Sequence, residues 1–540
     1  MRVLFYLEVH PLRNSFNQFA WVGKEIINML RKHYLTENNS KINDDDIRIV
    51  VSRHYKELTD SNQDIKTIFI GLTKEENDRL SFYLRDWNTE PEAIDYWTSL
   101  MNGKGEVSEF YSGILDRIKN NVFDFDVVVN WSTNGAVRDY CNRKGIHNVS
   151  MELGCVREPI LNTICFDACG VNGNSIIRHV DLEAVDENEL VDIKSILPVR
   201  IKNNMALDAV FKPIQSKYSE YIYSSFGKNV LIPLQLKDDS NRIIFSEYKG
   251  MLAFLKDVVP KLSSAGYTCI IKPHPMANAS VSRLINKDDH EACKEYIDGF
   301  ESDNIVWLDD VNDKDSYLAL LNLVNFAVTI NSSVGFEAMM LDIPTVVLGK
   351  SPFDVNTIKI ESLLNDNIDS ITLTKHNHKI SNVIMRHYLV PQAIAFDFYT
   401  FMFNVKRAIK LEKILHKKGS KAFTYELCKF DNLIPYYENL NVPPQVRQAH
   451  NMHHKKYIAN IMPKKEVKAI IKLADASDSP QVVVSSKLDS PLYDMKIEKL
   501  NNADSQSNFK KKVIKFKRDP KRFFADSKNG YIRILSNFIP

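Results

Sequence analysis

A chain of 540 residues exceeds what one hydrophobic core supports, so two or more domains are expected. Apolar residues make up 44% and charged residues 26%, the balance of a soluble globular protein rather than a fibrous or disordered one. The net charge of +2 says little by itself; its distribution says more, because positive charge collects at the C-terminus.

The chain opens on Arg2–Leu7, an apolar run that predicts a first buried parallel strand. Residues 8–15 read as a loop broken by Pro11, and 16–34 as a helix with a basic end. Strands are expected at 47–52 and 66–69, and helical sequence over 74–122. Phe123–Asn130 predicts a strand that stops at Trp131, with a helix over 136–144. The next strand, Asn148–Met151, ends on Glu152, Leu153 and Gly154. Residues 156–205 are harder to read: Asp167, Gly170, Val171 and Asn172 form a loop, with acidic helical sequence after it. A connecting helix is expected over 211–226, and a second strand–helix series starts at Asn229. It supplies strands at 230–235, 267–271, 326–330 and 345–348, with a helix over 248–265. Such alternation predicts doubly wound parallel sheets. Five segments follow: 1–210 and 211–400 as two α/β domains, a helical extension over 401–475, a linker over 476–507, and a basic tail over 508–540.

Seven scattered cysteines, of which Cys155, Cys165 and Cys169 lie closest, contain no paired C-x-x-C knuckle. A reduced cytoplasmic setting without a zinc site is expected. Met1–Glu8 does not read as a signal peptide, since the apolar run is short and no small-residue cleavage site follows. No apolar stretch approaches the roughly 18 residues of a membrane span. In the tail, lysine and arginine alternate with valine, isoleucine and phenylalanine from Phe509 to Phe524. That pattern fits an anionic membrane surface; a solvated basic tail or a self-packed helix is the plainer alternative. No nucleic-acid-binding module accompanies it, so nucleic acid is not an expected partner.

Ligands of open α/β sheets bind beyond the carboxyl ends of the strands, and several polar residues fall there. Asn331-Ser332-Ser333-Val334-Gly335 follows a strand and starts a helix, which suits a phosphate; Glu337 is one turn further on, within reach of ribose hydroxyls. Lys272-Pro273-His274-Pro275 holds a histidine in extended backbone, suited with Lys272 to an anion. Asp238 and Asp239 open the second series and face a cleft; one carboxylate there acts as a nucleophile or stabilises an oxocarbenium ion, or else caps the following helix. Glu152 lies on the opposite lip as a general base, with a structural pairing as the alternative; Asp167 is a weaker second candidate. Metal binding by His376 and His378, or by His453 and His454, is the minority reading.

Taken in order, Glu152-Leu-Gly154, Asp167…Gly170-Val-Asn172, Pro233-Leu-Gln235 with Asp238-Asp239-Ser240, Lys272-Pro-His274-Pro275, Asn331-Ser-Ser333-Val-Gly335-Phe-Glu337-Ala338, and Gly349 ahead of Phe353 resemble the bacterial capsule polysaccharide biosynthesis family, which includes the retaining β-Kdo glycosyltransferases. The similarity covers roughly 120–355, and the tail also resembles those of capsule and O-antigen transferases. The resemblance implies a GT-B fold of two Rossmann-like domains facing a cleft, with the donor held mainly by the second. It implies CMP-β-Kdo as donor, a glycan or glycolipid acceptor, retention of configuration, and neither metal nor cofactor. Asp239 would be the nucleophile and Glu152 the acid/base. His274 and Lys272 would hold the donor's phosphate or carboxylate. Ser332, Ser333 and Gly335 would bind the CMP phosphate, Glu337 the ribose, and Gln235 would join the donor set. The expected location is the inner face of the cytoplasmic membrane. A different CMP-ulosonate or UDP-sugar donor, or a non-catalytic nucleotide- or glycan-binding module, are the competing readings.

Overall fold

The computed structural model describes residues 1–8, 19–36, 46–84, 90–157, 160–193, 228–278, 284–302, 304–308, 323–355, 357–365 and 370–433, with 317, 320 and 321. The expected connecting helix over 211–226, His453 and His454, the linker and the basic tail lie outside these residues.

Twelve strands are found among the described residues: β1 Arg2–Tyr6, β2 Asp46–Val51, β3 Phe69–Gly71, β4 Val127–Trp131, β5 His147–Leu153, β6 Thr163–Asp167, β7 Asn229–Pro233, β8 Thr268–Lys272, β9 Ile305–Trp307, β10 Phe326–Thr329, β11 Thr345–Val347 and β12 Val390–Pro391. They form two sheets. The first has the order β12-β6-β5-β4-β1-β2-β3 and the second β11-β10-β7-β8-β9. Within the first, β1 to β5 pair in parallel, while β6 runs antiparallel to β5 and β12 antiparallel to β6. Every pairing in the second sheet is parallel.

Both sheets start in the middle and grow outward in two directions, the doubly wound arrangement. Chain direction switches between β1 and β4 in the first sheet and between β7 and β10 in the second. The strands are buried on both faces, which is why they read as continuous apolar runs. In the second sheet Val230 and Ile232 pack into one core layer and Leu231 into the other, as the two-residue period of a strand requires. Two Rossmann-like halves facing one cleft make this a GT-B fold.

A further core joins the halves. Val156, Ile176 and Ile177 meet Phe336, Met339 and Phe353, and both groups meet Val383, Ile384, Phe423 and Leu427 from the end of the described chain. The chain re-enters the first sheet at β12, and the helix Phe398–Cys428 packs against β5 and β6. The helical extension expected from 401 is this helix, which starts at Phe398 and is broken at Gly419, where the backbone turns left-handed at φ 77° before helical sequence resumes to Cys428.

Local differences have local causes. The strand expected at 66–69 begins only at Phe69, because Gln63–Ile68 forms 3-10 turns. The acidic stretch after Asn172 forms short 3-10 turns, capped at Asp181 and Asp186 by their own carboxylates, rather than an α-helix. Asp167 ends strand β6 instead of lying in a loop. His376 and His378 lie in the helix Ser370–Asn382, where His378 Nε2 is 2.9 Å from the Val191 carbonyl. No helix among the described residues is long and apolar enough to cross a membrane.

Candidate active site

The second sheet brings its two switch-point loops together. β7 leads into Gln235 and Asp239, and β10 into Asn331, Ser332 and Ser333; all five line one cleft. Gln235 ties the loops: its Nε2 donates to Asn331 Oδ1 at 2.9 Å and to Asp239 Oδ2 at 3.3 Å. Asp239 Oδ1 accepts from the backbone of Asn241 at 2.9 Å and so caps the helix Ser240–Phe245. The capping alternative is thus present, and it leaves Asp239 on the cleft wall. Asp238 turns the other way: it is buried, with its backbone N–H on Asn286 Oδ1 at 3.2 Å. Asn331 Nδ2 donates to the Asn241 carbonyl at 3.0 Å, fixing the loop on the helix it faces.

Ser332 caps the helix Ser333–Met340, and its backbone N–H bonds Thr329 Oγ1 at 3.1 Å. Ser332 and Ser333 face the cleft. Gly335 lies one turn deeper: its N–H is spent on the Ser332 carbonyl at 2.9 Å, and an added Cβ would meet Thr329 Cγ2 at 2.7 Å. The structure gives Gly335 a packing position rather than one on the cleft wall.

β8 delivers Lys272 and His274 to different places. His274 lines the cleft, and its Nδ1 accepts the Met276 N–H at 3.1 Å. An accepting Nδ1 puts the proton of the neutral ring on Nε2. Lys272 is buried instead, with its ammonium 5.6 Å from the Tyr317 ring. Glu337 is buried as well and accepts from the Tyr317 hydroxyl. Burial raises the Glu337 carboxyl to about 7, against the pull of that hydroxyl and of Arg157 and Lys272; burial also lowers Lys272. Lys272, Tyr317 and Glu337 form a polar cluster off the cleft wall, so neither expected ligand contact is made directly from that wall.

The first half supplies the opposite lip from the end of β5. Glu152 is partly buried, accepts the Leu153 N–H at 2.9 Å, and bonds Ser132. Burial raises its carboxyl, and the Asp239 charge adds to that rise. Ser132 reaches it from a left-handed backbone, φ 66°, a conformation non-glycine residues seldom adopt. Two bonds hold that turn: Asn130 Nδ2 to the Ser132 carbonyl at 2.6 Å, and Ser132 N–H to the Met151 carbonyl at 2.6 Å. Strain of this kind gathers at functional sites. Gly154 permits the close turn, since a Cβ there would sit 2.1 Å from Thr163 Oγ1. Arg157 follows on the wall, and both Glu152 and Glu337 feel its charge.

Asp167, the second candidate for this lip, is an anchor. It is buried and accepts from Ser175 Oγ at 2.8 Å, Ile176 N at 2.8 Å and Tyr388 Oη at 2.9 Å. Burial raises it to about 6 despite these bonds. What reaches the cleft from its surroundings is Tyr388 and Asn172.

Sequence reasoning left Arg157, Asn241, Lys350, Ser351 and Tyr388 out of the site. Lys350 and Ser351 carried a usable signal, since they directly follow Gly349. That glycine is tight against Ile330 Cγ2 at 2.8 Å and the Phe245 carbonyl at 2.9 Å. Arg157 and Tyr388 carried none, because their place depends on the packing between halves. That packing includes a paired contact: Arg178 Nε lies 3.0 and 3.1 Å from the two Asp354 oxygens. Among the described residues, the cleft thus gathers the Asp239 carboxylate, cations at Arg157 and Lys350, a histidine and a serine-capped helix start, while Glu152 directly precedes the lining residue Leu153 without being on the wall itself.

Residues 203–399 match the family model described as capsule polysaccharide biosynthesis protein. The resemblance seen in the motifs is therefore matched over the whole second sheet and its β12 return. Among solved structures, KpsC of Thermosulfurimonas dismutans, a β-Kdo 2,7 transferase, is similar at 15% identity over 52% of this chain and 81% of its own, with a TM-score of 0.27. The β-Kdo 2,4 transferase of the same name is similar at 12% identity over 49% and 81%, with a TM-score of 0.30. The UDP-GlcNAc 2-epimerase of Methanocaldococcus jannaschii is similar at 14% identity over 71% and 99%, with a TM-score of 0.25. No curated protein matches the sequence.

Proposed function

We propose that this chain is a glycosyltransferase of bacterial surface polysaccharide synthesis, and that it transfers Kdo from CMP-β-Kdo to a glycan or glycolipid acceptor with retention. The carrying observation is the convergence of Asp239, His274, Arg157 and Lys350 with a serine-capped helix start on one cleft, with Glu152 at the adjoining strand end next to the lining residue Leu153. A retaining displacement needs two carboxyl groups on opposite sides of the reacting carbon. In the first step a carboxylate oxygen of Asp239 bonds the ketosidic carbon as the bond to the CMP phosphate oxygen breaks. CMP leaves with that electron pair. Ser332, Ser333, His274, Arg157 and Lys350 supply donors and positive charge for the leaving phosphate and the donor's own carboxylate. In the second step an acceptor hydroxyl gives its proton to Glu152 and displaces Asp239. Gln235 steadies the nucleophile through its 3.3 Å bond. Lys272 and Glu337 set the local charge from their buried cluster. No metal or cofactor is assigned to these steps.

The test is CMP release from CMP-Kdo by the purified protein, with and without acceptor glycans, followed by intact-protein mass. The expected result is acceptor-dependent release and a Kdo-sized adduct that Asp239→Ala abolishes. An Asp239→Ala protein with full transfer activity overturns the nucleophile. Absence of release, together with no preference for CMP over UDP in a binding titration, overturns the donor and favours a UDP-sugar or a non-catalytic module.

A further inference from the structure

Two residues past β6, the Cys169 thiol meets a face of the long helix Phe398–Cys428. The Cys169 Sγ and one ligand atom each of Glu412 and His416 lie within 4.8 Å of one another. Glu412 and His416 are four apart on that helix and therefore project from one side of it. Cys169 comes from a loop far away in sequence and closes the set.

We propose that Cys169, Glu412 and His416 form a zinc site that pins this helix to the loop following β6. Thiolate, imidazole and carboxylate are the donor types zinc takes, in tetrahedral geometry with an open fourth position for water. A thiolate in the set disfavours magnesium and calcium, which take oxygen ligands. Tetrahedral zinc would hold the donor atoms about 3.6 Å apart, so a small turn of the side chains closes the site. His416 is exposed, which gives it room to make that turn and lets the ion enter.

The charges suit a dication. A thiolate and a carboxylate balance it. Beyond burial, Asp167 and Glu412 hold the Cys169 thiol protonated, and Arg138, whose Nη1 lies 3.3 Å from the Cys169 carbonyl, opposes them. Lys413 and His416 act on Glu412 in the same sense. Burial pushes both the Cys169 thiol and the Glu412 carboxyl upward, a cost that a bound cation removes.

The consequence reaches the cleft. Cys169, Gly170 and Asn172 belong to one tight loop, with φ of 118° at Gly170 and 58° at Asn172, and Asn172 lines the cleft. A staple at Cys169 would hold that loop on the helix and so fix Asn172. This assignment is independent of the donor sugar and of the reaction type.

The experiment uses the full chain, loaded with zinc and dialysed against zinc-free buffer. Elemental analysis is expected to find about one zinc per chain, with affinity weakened roughly 100-fold or more in Cys169→Ser and in His416→Ala. The His453→Ala/His454→Ala double variant serves as the control that keeps its zinc. Cobalt in place of zinc should give a thiolate charge-transfer band that Cys169→Ser abolishes. Chelation should lower the Tm of the wild type and leave both site variants unchanged. A metal-free wild type after dialysis, or zinc retained by both Cys169→Ser and His416→Ala, overturns the site. Since His416 is on the surface, its variant is expected to fold, so loss of zinc there is not loss of structure.

Discussion

Glu337 and Gly154 place testable demands on single residues. The Glu337 carboxyl stands at about 7 because it is buried, whereas in the unfolded chain it titrates in the ordinary carboxylate range. Its folded form thus holds a proton that the unfolded form has already lost. The stability it contributes is complete below the unfolded pKa and is lost as pH rises through about 7. Glu337→Gln keeps an acceptor for Tyr317 and removes the titration. Relative to wild type it should gain on the order of 2 kcal/mol between pH 4.5 and 8, read from urea unfolding at each pH. A parallel pH dependence in both proteins would refute the buried proton. At Gly154 a Cβ would lie 2.1 Å from Thr163 Oγ1 and 2.8 Å from Leu389 Cδ2. Gly154→Ala should therefore destabilise by about 1–3 kcal/mol, seen as a lower denaturant midpoint.

At the scale of elements, the end of the described chain is held by one buried ion pair. Arg386 Nε lies 2.8 Å from Asp431 Oδ2, and each side chain is 1% exposed. Arg386 also donates to the Glu189 carbonyl and to Asn382 Oδ1. It thereby joins the turn before β12, the chain after the long helix, and the 3-10 segment of the first half. Arg386→Met leaves Asp431 buried without this partner and should cost about 3–5 kcal/mol; unaltered thermal unfolding would show that the pair contributes nothing. The elements themselves were legible unevenly. β1, β4, β5, β7 and β10 are apolar runs bounded by polar loops, and the periodicity finds them. β9 and β12 are three and two residues long, too short for any period. β6 reads Thr-Ile-Cys-Phe-Asp, with polar residues at both ends that leave only three apolar positions to mark it. Each owes its existence to the neighbour it pairs with.

For the whole molecule, the basic tail and the membrane remain the matter of a separate expectation, since residues 508–540 lie outside the described structure. Deleting them should reduce sedimentation with vesicles rich in anionic lipid while leaving transfer to a soluble acceptor intact. Vesicle binding unchanged by the deletion would remove the membrane role. Among the described residues the cleft is built from residues between Leu153 and Leu389.

The order of strand and helix, the two doubly wound sheets, and the loops that carry Asp239, His274, Ser332 and Ser333 were determined by sequence, because burial of both sheet faces and polar punctuation at strand ends are local patterns. The choice between Asp238 and Asp239 was not local: it depends on which carboxylate the Gln235 loop turns toward the cleft. The recession of Lys272, Gly335 and Glu337 from the wall, the arrival of Arg157 and Tyr388 on it, and the meeting of Cys169 with Glu412 and His416 were decided by tertiary packing alone. These depend on how the two halves and the returning helix press together, and contacts between residues hundreds of positions apart leave no periodic trace in either partner.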